Sequence, residues 1–437
     1  MRSGPKRPQV SLVSIDERIL RGFYKKAFAY SAISALKNFK EDCMPDRDVY
    51  IMSGARTAIG DFGGGLKDFL GHQLAVIPME EALKRAGAGK EMVEEVILGH
   101  CIQRTDEPNT ARTAALKMGI PVSVPAFTVQ RQCSSAMQAI VSGAQMIQLG
   151  EADVVLAGGV ETMSSAPYTL KSARWGQRLQ HGQISDTVWE VLTDPLNGML
   201  MGMATEGLAE KYGITREEQD EVAFLSHKNA CRAIAGGKFK EEIVPVPVPQ
   251  RRGPPKIFDT DEHPREDVSM EQLAKLPTVF KKEGTVTAGN SSGINDGASA
   301  VVLMSGKKVQ ELGRKPLARI VTYAWAAVEP EYFGYGPVPA TRKALQRANL
   351  TLQDIELIEC NEAFAGQYMT CEKGLGWKRE ITNVNGSGIA LGHPVGSTGA
   401  RIIITLLYEM ARRGLKMGLA TLCVGGGMGM TTIVERI

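Results

Sequence analysis

Residues 82–99, ALKRAGAGKEMVEEVILG, recur without a gap at residues 344–361 as ALQRANLTLQDIELIECN. Each copy reads as the end of a helix, a short polar link and an apolar strand. A second echo follows each of them in the same order. Cys133 precedes a helical run from Ser134 to Gln148, and Gly150-Glu-Ala-Asp then leads into Val154-Val-Leu-Ala and Gly158-Gly159. His393 opens another run from Ser397 to Arg413, and Gly418 leads into Leu419-Ala-Thr-Leu-Cys-Val and Gly425-Gly-Gly. Self-similarity of this kind marks a duplicated architecture. Strands alternating with helices predict two α/β halves with largely parallel sheets under helical cover. Ligands of such sheets bind at the carboxyl ends of strands, where both echoes carry their reactive residue types.

A length of 437 residues exceeds one ordinary core. The net charge of +3 makes no case for nucleic acid, although a basic pocket for a phosphorylated ligand fits it. No apolar run approaches the roughly 18 residues that span a bilayer; the longest, Ala136 to Leu149, is broken by Gln138, Gln145 and Gln148. The seven cysteines form no C-x-x-C pair and no zinc-spaced cluster with histidine. A reducing compartment without a disulfide framework or metal is therefore expected.

Residues 1–43 differ from the rest. They hold nine Lys and Arg, ten with Arg47, and Ile19, Leu20, Phe23, Ala27, Phe28, Ile33 and Leu36 recur at helical spacing. Asp16, Glu17, Glu41 and Asp42 depart from a clean transit sequence. The expectation is an appended segment before a catalytic fold that starts near Met44, in a cytoplasmic protein. The alternative is a targeting segment and the mitochondrial matrix or another organelle. From Ser164 to Ala288 the repeat pattern lapses. This stretch holds Trp175, Trp189, Pro245-Val-Pro-Val-Pro and a charged segment, Asp259 to Asp267. A helix from Arg216 to Ala235 is predicted, with Thr215 as N-cap and Glu218 in the capping-box place. An insertion of this length is expected to be a lid or substrate-binding subdomain.

Cys133, in Gln130-Arg-Gln-Cys-Ser-Ser-Ala-Met-Gln, lies between the strand Phe127-Thr-Val and a helix. Free N–H groups and partial positive charge at a helix start favour thiolate, so a lowered pKa and a nucleophile are expected. A small packing residue at a crowded turn is the other reading. His393 stands in Asn385-Gly-Ser-Gly-Ile-Ala-Leu-Gly-His-Pro-Val-Gly-Ser-Thr-Gly. The glycines imply close backbone approach, and Pro394 keeps His393 out of helical geometry. There it could move a proton near neutral pH, or merely satisfy a turn. Cys423 ends an apolar strand before Gly425-Gly-Gly-Met-Gly, whose N–H groups suit an oxyanion. A dinucleotide loop is the rival there, but the spacing is not G-x-G-x-x-G and no helix of normal length follows. Asn361, in Asn-Glu-Ala-Phe-Ala after the strand Ile355 to Cys360, could orient water, donate to an oxyanion or cap a helix.

Together these segments resemble the thiolase family over about residues 48–437. Cys-Ser-Ser at Cys133 is similar to its nucleophile segment and Asn361-Glu-Ala-Phe to its oxyanion motif. Gly392-His393-Pro394 is similar to its histidine motif, Cys423-Val-Gly425 to its acid/base cysteine, and Gly-Thr-Val-Thr-Ala288-Gly-Asn-Ser-Ser292-Gly to its coenzyme A loop. The resemblance implies a duplicated fold whose two mixed sheets sandwich helices in five layers. Its N-terminal half would be residues 44–163 and 289–313, an inserted CoA-binding loop domain residues 164–288, and its C-terminal half residues 314–437.

The resemblance also implies a mechanism. Cys133, helped by His393, forms an acyl-enzyme whose oxyanion the N–H groups of Cys133 and Gly425 hold. Cys423 takes or returns the α-proton, while His393 and a water on Asn361 hold the second thioester oxygen. Acyl-CoA and CoA are the substrates, with no metal or redox cofactor. Ser292 and Ala288 would meet the pantetheine arm, Arg265 the adenine or phosphate end, and Met201 and Phe364 the thioester slot. Leu200 replaces the histidine usual in the short-chain synthetic branch, and Ser134 and Ala136 replace glycines, which leaves acyl length open. A homodimer or homotetramer follows from the resemblance. The competing readings are a decarboxylating ketoacyl synthase of the same fold, which lacks a second reactive cysteine, and a non-catalytic subunit of a fatty-acid oxidation complex.

Overall fold

The computed structural model describes residues 47–179 and 181–437, so the expectations for residues 1–43 lie outside the described residues. The first half runs β1 (Val49–Thr57), α1 (Gly71–Ala86), β2 (Glu95–Gly99), α2 (Thr110–Lys117), β3 (Ala126–Val129), α3 (Ser135–Leu149) and β4 (Val154–Thr162). Helices α4 (Met201–Tyr212) and α5 (Arg216–Ala235) precede β5 (Asn295–Ser305). The second half runs β6 (Ala318–Ala327), α6 (Pro337–Ala348), β7 (Leu357–Cys360), α7 (Ala365–Leu375), α8 (Val395–Arg413), β8 (Met417–Val424) and β9 (Met428–Arg436).

The echo in sequence is an echo in backbone. Helices α1 and α6 end on left-handed caps, Gly87 (φ 69°) and Asn349 (φ 53°), at matching positions of the repeat. Single 3₁₀ turns follow at Lys90–Met92 and Leu352–Asp354, again in register, before β2 and β7. One half orders its strands β1-β5-β4-β2-β3 and the other β6-β9-β8-β7. They join where Tyr50 faces Arg319 and Ile51 faces Ala318 across β1 and β6.

The sheets are mixed, which corrects the largely parallel arrangement expected from helix–strand alternation. Strands β2, β3 and β4 run parallel, as do β7 and β8. Strands β5 and β9 run antiparallel to both of their neighbours. The reason lies in the connections. A hairpin of glycines joins β8 to β9 instead of a helix, and a tight turn can join only antiparallel neighbours.

Alternation along the strands sorts the residues into layers. On β2, Ile97 faces the central layer while Val96 and Leu98 face α1 and α2. On β8, Ala420 and Leu422 point inward while Leu419 packs with Val338 and Leu345 of α6 and Met369 of α7. The central layer is α3 and α8, whose Met137, Ile140, Ile403 and Leu406 fill the space between the sheets. Five layers result: α1 and α2, a sheet, α3 and α8, a sheet, α6 and α7.

The two central helices touch closely. A Cβ at Gly399 of α8 would lie 2.5 Å from the Met137 backbone nitrogen of α3. Gly399→Ala should therefore force the helices apart and destabilise the fold by about 1–3 kcal/mol, read as a lowered midpoint in urea or thermal unfolding. An unchanged midpoint would show that this contact does not limit the packing.

In the intervening stretch the expected capping box is present, with Glu218 N donating to Thr215 Oγ1 and Thr215 N to Glu218 Oε2. Helix α4 was not foreseen, because Gly202 and Gly207 blur the apolar period of a short segment. Its Glu206 carboxylate receives the Thr285 and Val286 amides and so fastens the loop that leads to Ala288 and Ser292. Strand β7 starts at Leu357, two residues later than expected, and α8 at Val395, two earlier.

Candidate active site

Cys133 sits on a sharp elbow between β3 and α3. Gln132 adopts φ 45°, a left-handed geometry that costs an L side chain energy and persists only when held. Two serines hold it. Ser134 Oγ donates to the Arg131 carbonyl (3.0 Å), Ser135 Oγ to the Gln132 carbonyl (2.6 Å), and Arg131 N donates to Ser135 Oγ (2.8 Å). The thiol is thereby aimed at the β8–β9 turn, where it faces the Gly425 N–H as well as its own. These are the two donors expected for an oxyanion.

The expected lowering of its pKa is not found. Burial pushes the Cys133 thiol up to about 11, against the pull of the Gly425 and Cys133 N–H groups and with a further rise from Glu161. Desolvation outweighs two backbone donors, so the resting residue is a thiol. Cys423, the penultimate residue of β8, is fully buried among Ala204, Leu208, Phe333 and Ala363. Burial raises it well above the ordinary thiol range, with Cys133 and Cys371 adding to the rise. Cys133 is thus close enough to act on the Cys423 thiol.

His393 comes from the second half, just before α8. Three partners fix it. Its amide donates to Asn295 Oδ1 (2.9 Å), its Nδ1 lies 2.7 Å from Thr398 Oγ1, and its Nε2 lies 3.4 Å from Asn361 Nδ2. Gly392 before it has φ 101°, and a Cβ there would lie 2.6 Å from Asn295 Cγ, so the loop needs glycine at this point. Thr398 Oγ1 spends its one proton on the Pro394 carbonyl (3.0 Å), which leaves it an acceptor toward Nδ1–H. We assign the Nδ1–H tautomer on that ground, with a bare Nε2 facing the Asn361 amide. Burial, with the Arg401 charge, pushes the imidazole down to about 3, so it rests neutral and titrates well below the neutral pH expected from its sequence.

Asn361 follows β7, its backbone N–H donating to the Thr421 carbonyl (3.0 Å). Its Oδ1 is buried without a hydrogen-bond partner among the described residues. Next to it, Glu362 accepts from Ser226 Oγ of α5 (2.6 Å) and Asn383 Nδ2 (2.7 Å), which ties the inserted helix to this loop.

A cavity of about 350 Å³ opens beside the thiol, lined by Arg131, Gln132, Asp194, Met201, Gly425 and Met428 among others. Met201, expected at the thioester slot, lines this cavity. Phe364 packs edge-on against Phe280 and Phe333 in the cluster that holds Cys423. Leu200 precedes α4 and is half-buried, outside the lining of this cavity. Ser292 N donates to the Ala363 carbonyl (2.9 Å), so its loop docks on the Asn361 segment. Ala288 and Arg265 are exposed and do not line the cavity; the Arg265 amide donates to His227 Nδ1 (3.2 Å). Sequence reasoning missed Asn295, Thr398 and Glu161. The Asn-Asp-Gly at 295–297 and the Gly-Gly-Val-Glu at 158–161 were the available signals, polar residues at the ends of apolar strands. Among the described residues no group of His, Cys, Asp and Glu could hold a metal ion, and no helix is long and apolar enough to cross a membrane.

Two thiols, a neutral imidazole and an amide, carried at strand ends and helix starts by both halves of a duplicated α/β core, define a class that transfers acyl groups between thioesters. The family profiles agree: that of the thiolase N-terminal domain matches residues 49–307 and that of the thiolase C-terminal domain residues 314–436. An acetyl-CoA acetyltransferase of Syntrophomonas wolfei is 51% identical over 396 residues, covering 90% of this chain and all of the relative. The crystal structure of the Bacillus anthracis acetyl-CoA acetyltransferase superposes with a TM-score of 0.88 at 56% identity, covering 89% of this chain and 99% of that one. Human mitochondrial 3-ketoacyl-CoA thiolase in complex with CoA gives 0.87 at 43%, covering 90% and 98%. The chain belongs to the thiolase family and is an acyltransferase.

Proposed function

We propose that this thiolase catalyses the reversible Claisen condensation and thiolytic cleavage of 3-ketoacyl-CoA, for example two acetyl-CoA to acetoacetyl-CoA plus CoA, through a Cys133 acyl-enzyme. The observation that carries this reading is the Cys133 thiol facing the N–H groups of Cys133 and Gly425, with a second buried thiol, Cys423, near enough to be raised by it. Attack on a thioester carbonyl makes the S–C bond while the thiol proton passes to His393 Nε2. Collapse breaks the bond to the CoA sulfur, which takes that proton. A thiol near 11 and an imidazole near 3 do not exchange a proton at rest. Transfer must accompany bond formation, when the two N–H groups hold the growing oxyanion.

In the second half-reaction Cys423, acting as its thiolate, takes an α-proton from a second acyl-CoA. The enolate oxygen rests on His393 and a water at Asn361, whose unpartnered Oδ1 supports that role. The carbanion then takes the acyl group and frees Cys133 as thiolate, which recovers the proton held by Cys423. Coenzyme A is substrate and product. In this reading residues 164–288 are the CoA-binding loop domain between halves of residues 44–163 with 289–313 and residues 314–437. Ser292 and Ala288 meet the pantetheine arm and Arg265 the adenine or phosphate end, with Met201, Phe364 and Leu200 around the thioester. Mixing the protein with acetoacetyl-CoA and CoA and following loss of the enolate absorbance tests the reading. No loss with 3-ketoacyl-CoA of any chain length would overturn it.

The bacterial relatives support a cytoplasmic protein. A homodimer or homotetramer is supported by the apolar surface between Tyr168 and Leu196, where Trp175 is 89% exposed and Leu179 is 87% exposed. Replacing Trp175 and Trp189 together by serine should reduce the mass measured by light scattering to that of a smaller assembly. If the mass is unchanged, that surface is not the contact between copies.

A further inference from the structure

Helix α8 begins on Pro394, which offers no side-chain cap to its free N–H groups. The cap comes from the other half of the molecule. Glu161, fully buried near the end of β4, accepts from the Gly396 amide in the first turn of α8 through Oε2 (2.8 Å). The same oxygen takes the Cys101 amide (3.2 Å), and Oε1 takes that of Ile102 (3.1 Å). His100 Nε2 lies 3.4 Å from Oε1, and its Nδ1 lies 2.8 Å from Thr110 Oγ1. An acidic side chain at a helix N-terminus is favoured by the helix dipole, most of all where water is absent.

The strand beside β4 contributes the second restraint. Gly297 of β5 pairs with Glu161, and two residues before it Asn295 receives the His393 amide. A Cβ at Gly159 would strike the Gly396 carbonyl oxygen, so β4 and the start of α8 are in direct contact. Two adjacent strand ends of the first half therefore grip the segment 393–396 of the second. Cys101 also lies in the apolar cluster that Cys133 packs against, and its thiol contacts Gln132 Oε1 (3.1 Å). Glu161 thus reaches both sides of the site. It holds the histidine segment through Gly396 and the nucleophile elbow through the Cys101 loop.

We propose that Glu161 is a positioning residue for acyl transfer, a cross-half helix cap that sets His393 relative to Cys133. The proposal rests on the thiolase reading of the site, and its test separates the two. Glu161→Gln keeps an acceptor that can face Gly396 but removes the charge; Glu161→Ala removes both. Each is compared with wild type in thiolysis, whose presence in the wild type tests the reading itself. Glu161→Ala should lower kcat by about 10²-fold with KM for CoA unchanged, the scale of a misplaced catalytic group. Glu161→Gln should restore about tenfold of that loss.

Iodoacetamide labelling of the Cys133 peptide against pH supplies a readout that lost packing alone would not move. Groups facing Glu161 are His100, Asp296, Cys101 and Cys133. Removing the carboxylate charge should shift the labelling midpoint of Cys133 to lower pH in both variants. Equal losses in the two variants, or a folded Glu161→Ala with wild-type kcat, would overturn the proposal. If Glu161→Ala does not fold, Glu161→Gln decides alone: an unmoved labelling midpoint overturns the proposal and a lowered one supports it.

Discussion

Cys133→Ser is expected to keep the fold and to lose more than about 10³-fold in thiolysis and condensation. Serine is nearly isosteric, so the elbow tied by Ser134 and Ser135 survives the change. The chemistry does not. A hydroxyl is a far weaker acid than the thiol it replaces, and the base proposed for it, His393, is an imidazole that burial holds down to about 3. No proton acceptor of useful strength remains until a C–O bond is well advanced. Intact-mass measurement after mixing with acetyl-CoA should show one added acyl group on the wild type and none on the variant. The free thiol gives a second check. With a pKa of about 11, its labelling by iodoacetamide should keep rising with pH through the alkaline range instead of levelling off near neutrality. Acylation of the serine variant, or activity within tenfold of wild type, would place the nucleophile elsewhere.

Cys423→Ser should separate the two half-reactions. Its side chain is buried among apolar groups and lies in no position to hold up the Cys133 elbow. Acylation of Cys133 should therefore persist in the mass spectrum. Condensation and thiolysis should fall by more than about 10³-fold, because no group of suitable acidity remains to handle the α-proton. The new hydroxyl sits in an apolar cluster and costs about 1–3 kcal/mol if it finds no partner, which a thermal-unfolding midpoint measures separately from activity. A fully active Cys423→Ser would rule out the two-cysteine mechanism and revive the ketoacyl synthase reading.

Much of the fold was legible because a repeated sequence must bury repeated faces. The register of ALKRAGAG on ALQRANLT carries through to left-handed caps at Gly87 and Asn349 and to matched 3₁₀ turns. Cys133, Asn361 and Cys423 were singled out because each ends or follows a strand, and His393 because it stands in a glycine-rich turn between two helices, places where chemistry and chain punctuation coincide. Three things were not legible. Strand direction depends on how β5 and β9 are reached, which the alternation of elements does not encode. The acidity of Cys133 depends on how much water the folded chain excludes, and a local argument from the helix start gave the wrong sign. Glu161 and Asn295 touch the histidine segment from 235 and 98 residues away, so no local pattern announces them.

The close approach of Gly399 to Met137 has a mechanical consequence. Met137 lies four residues after Cys133, and Gly399 six after His393, each in the opening turns of the helix that its reactive residue introduces. The gap between Cys133 and His393, the proposed nucleophile and base, is therefore gauged by the thickness of a helix–helix contact, as a caliper is set by its jaws. The turns that carry the two side chains do not have to define it alone. Selection on acyl length can reshape the surrounding 350 Å³ cavity from the inserted segment while the reacting atoms keep their spacing.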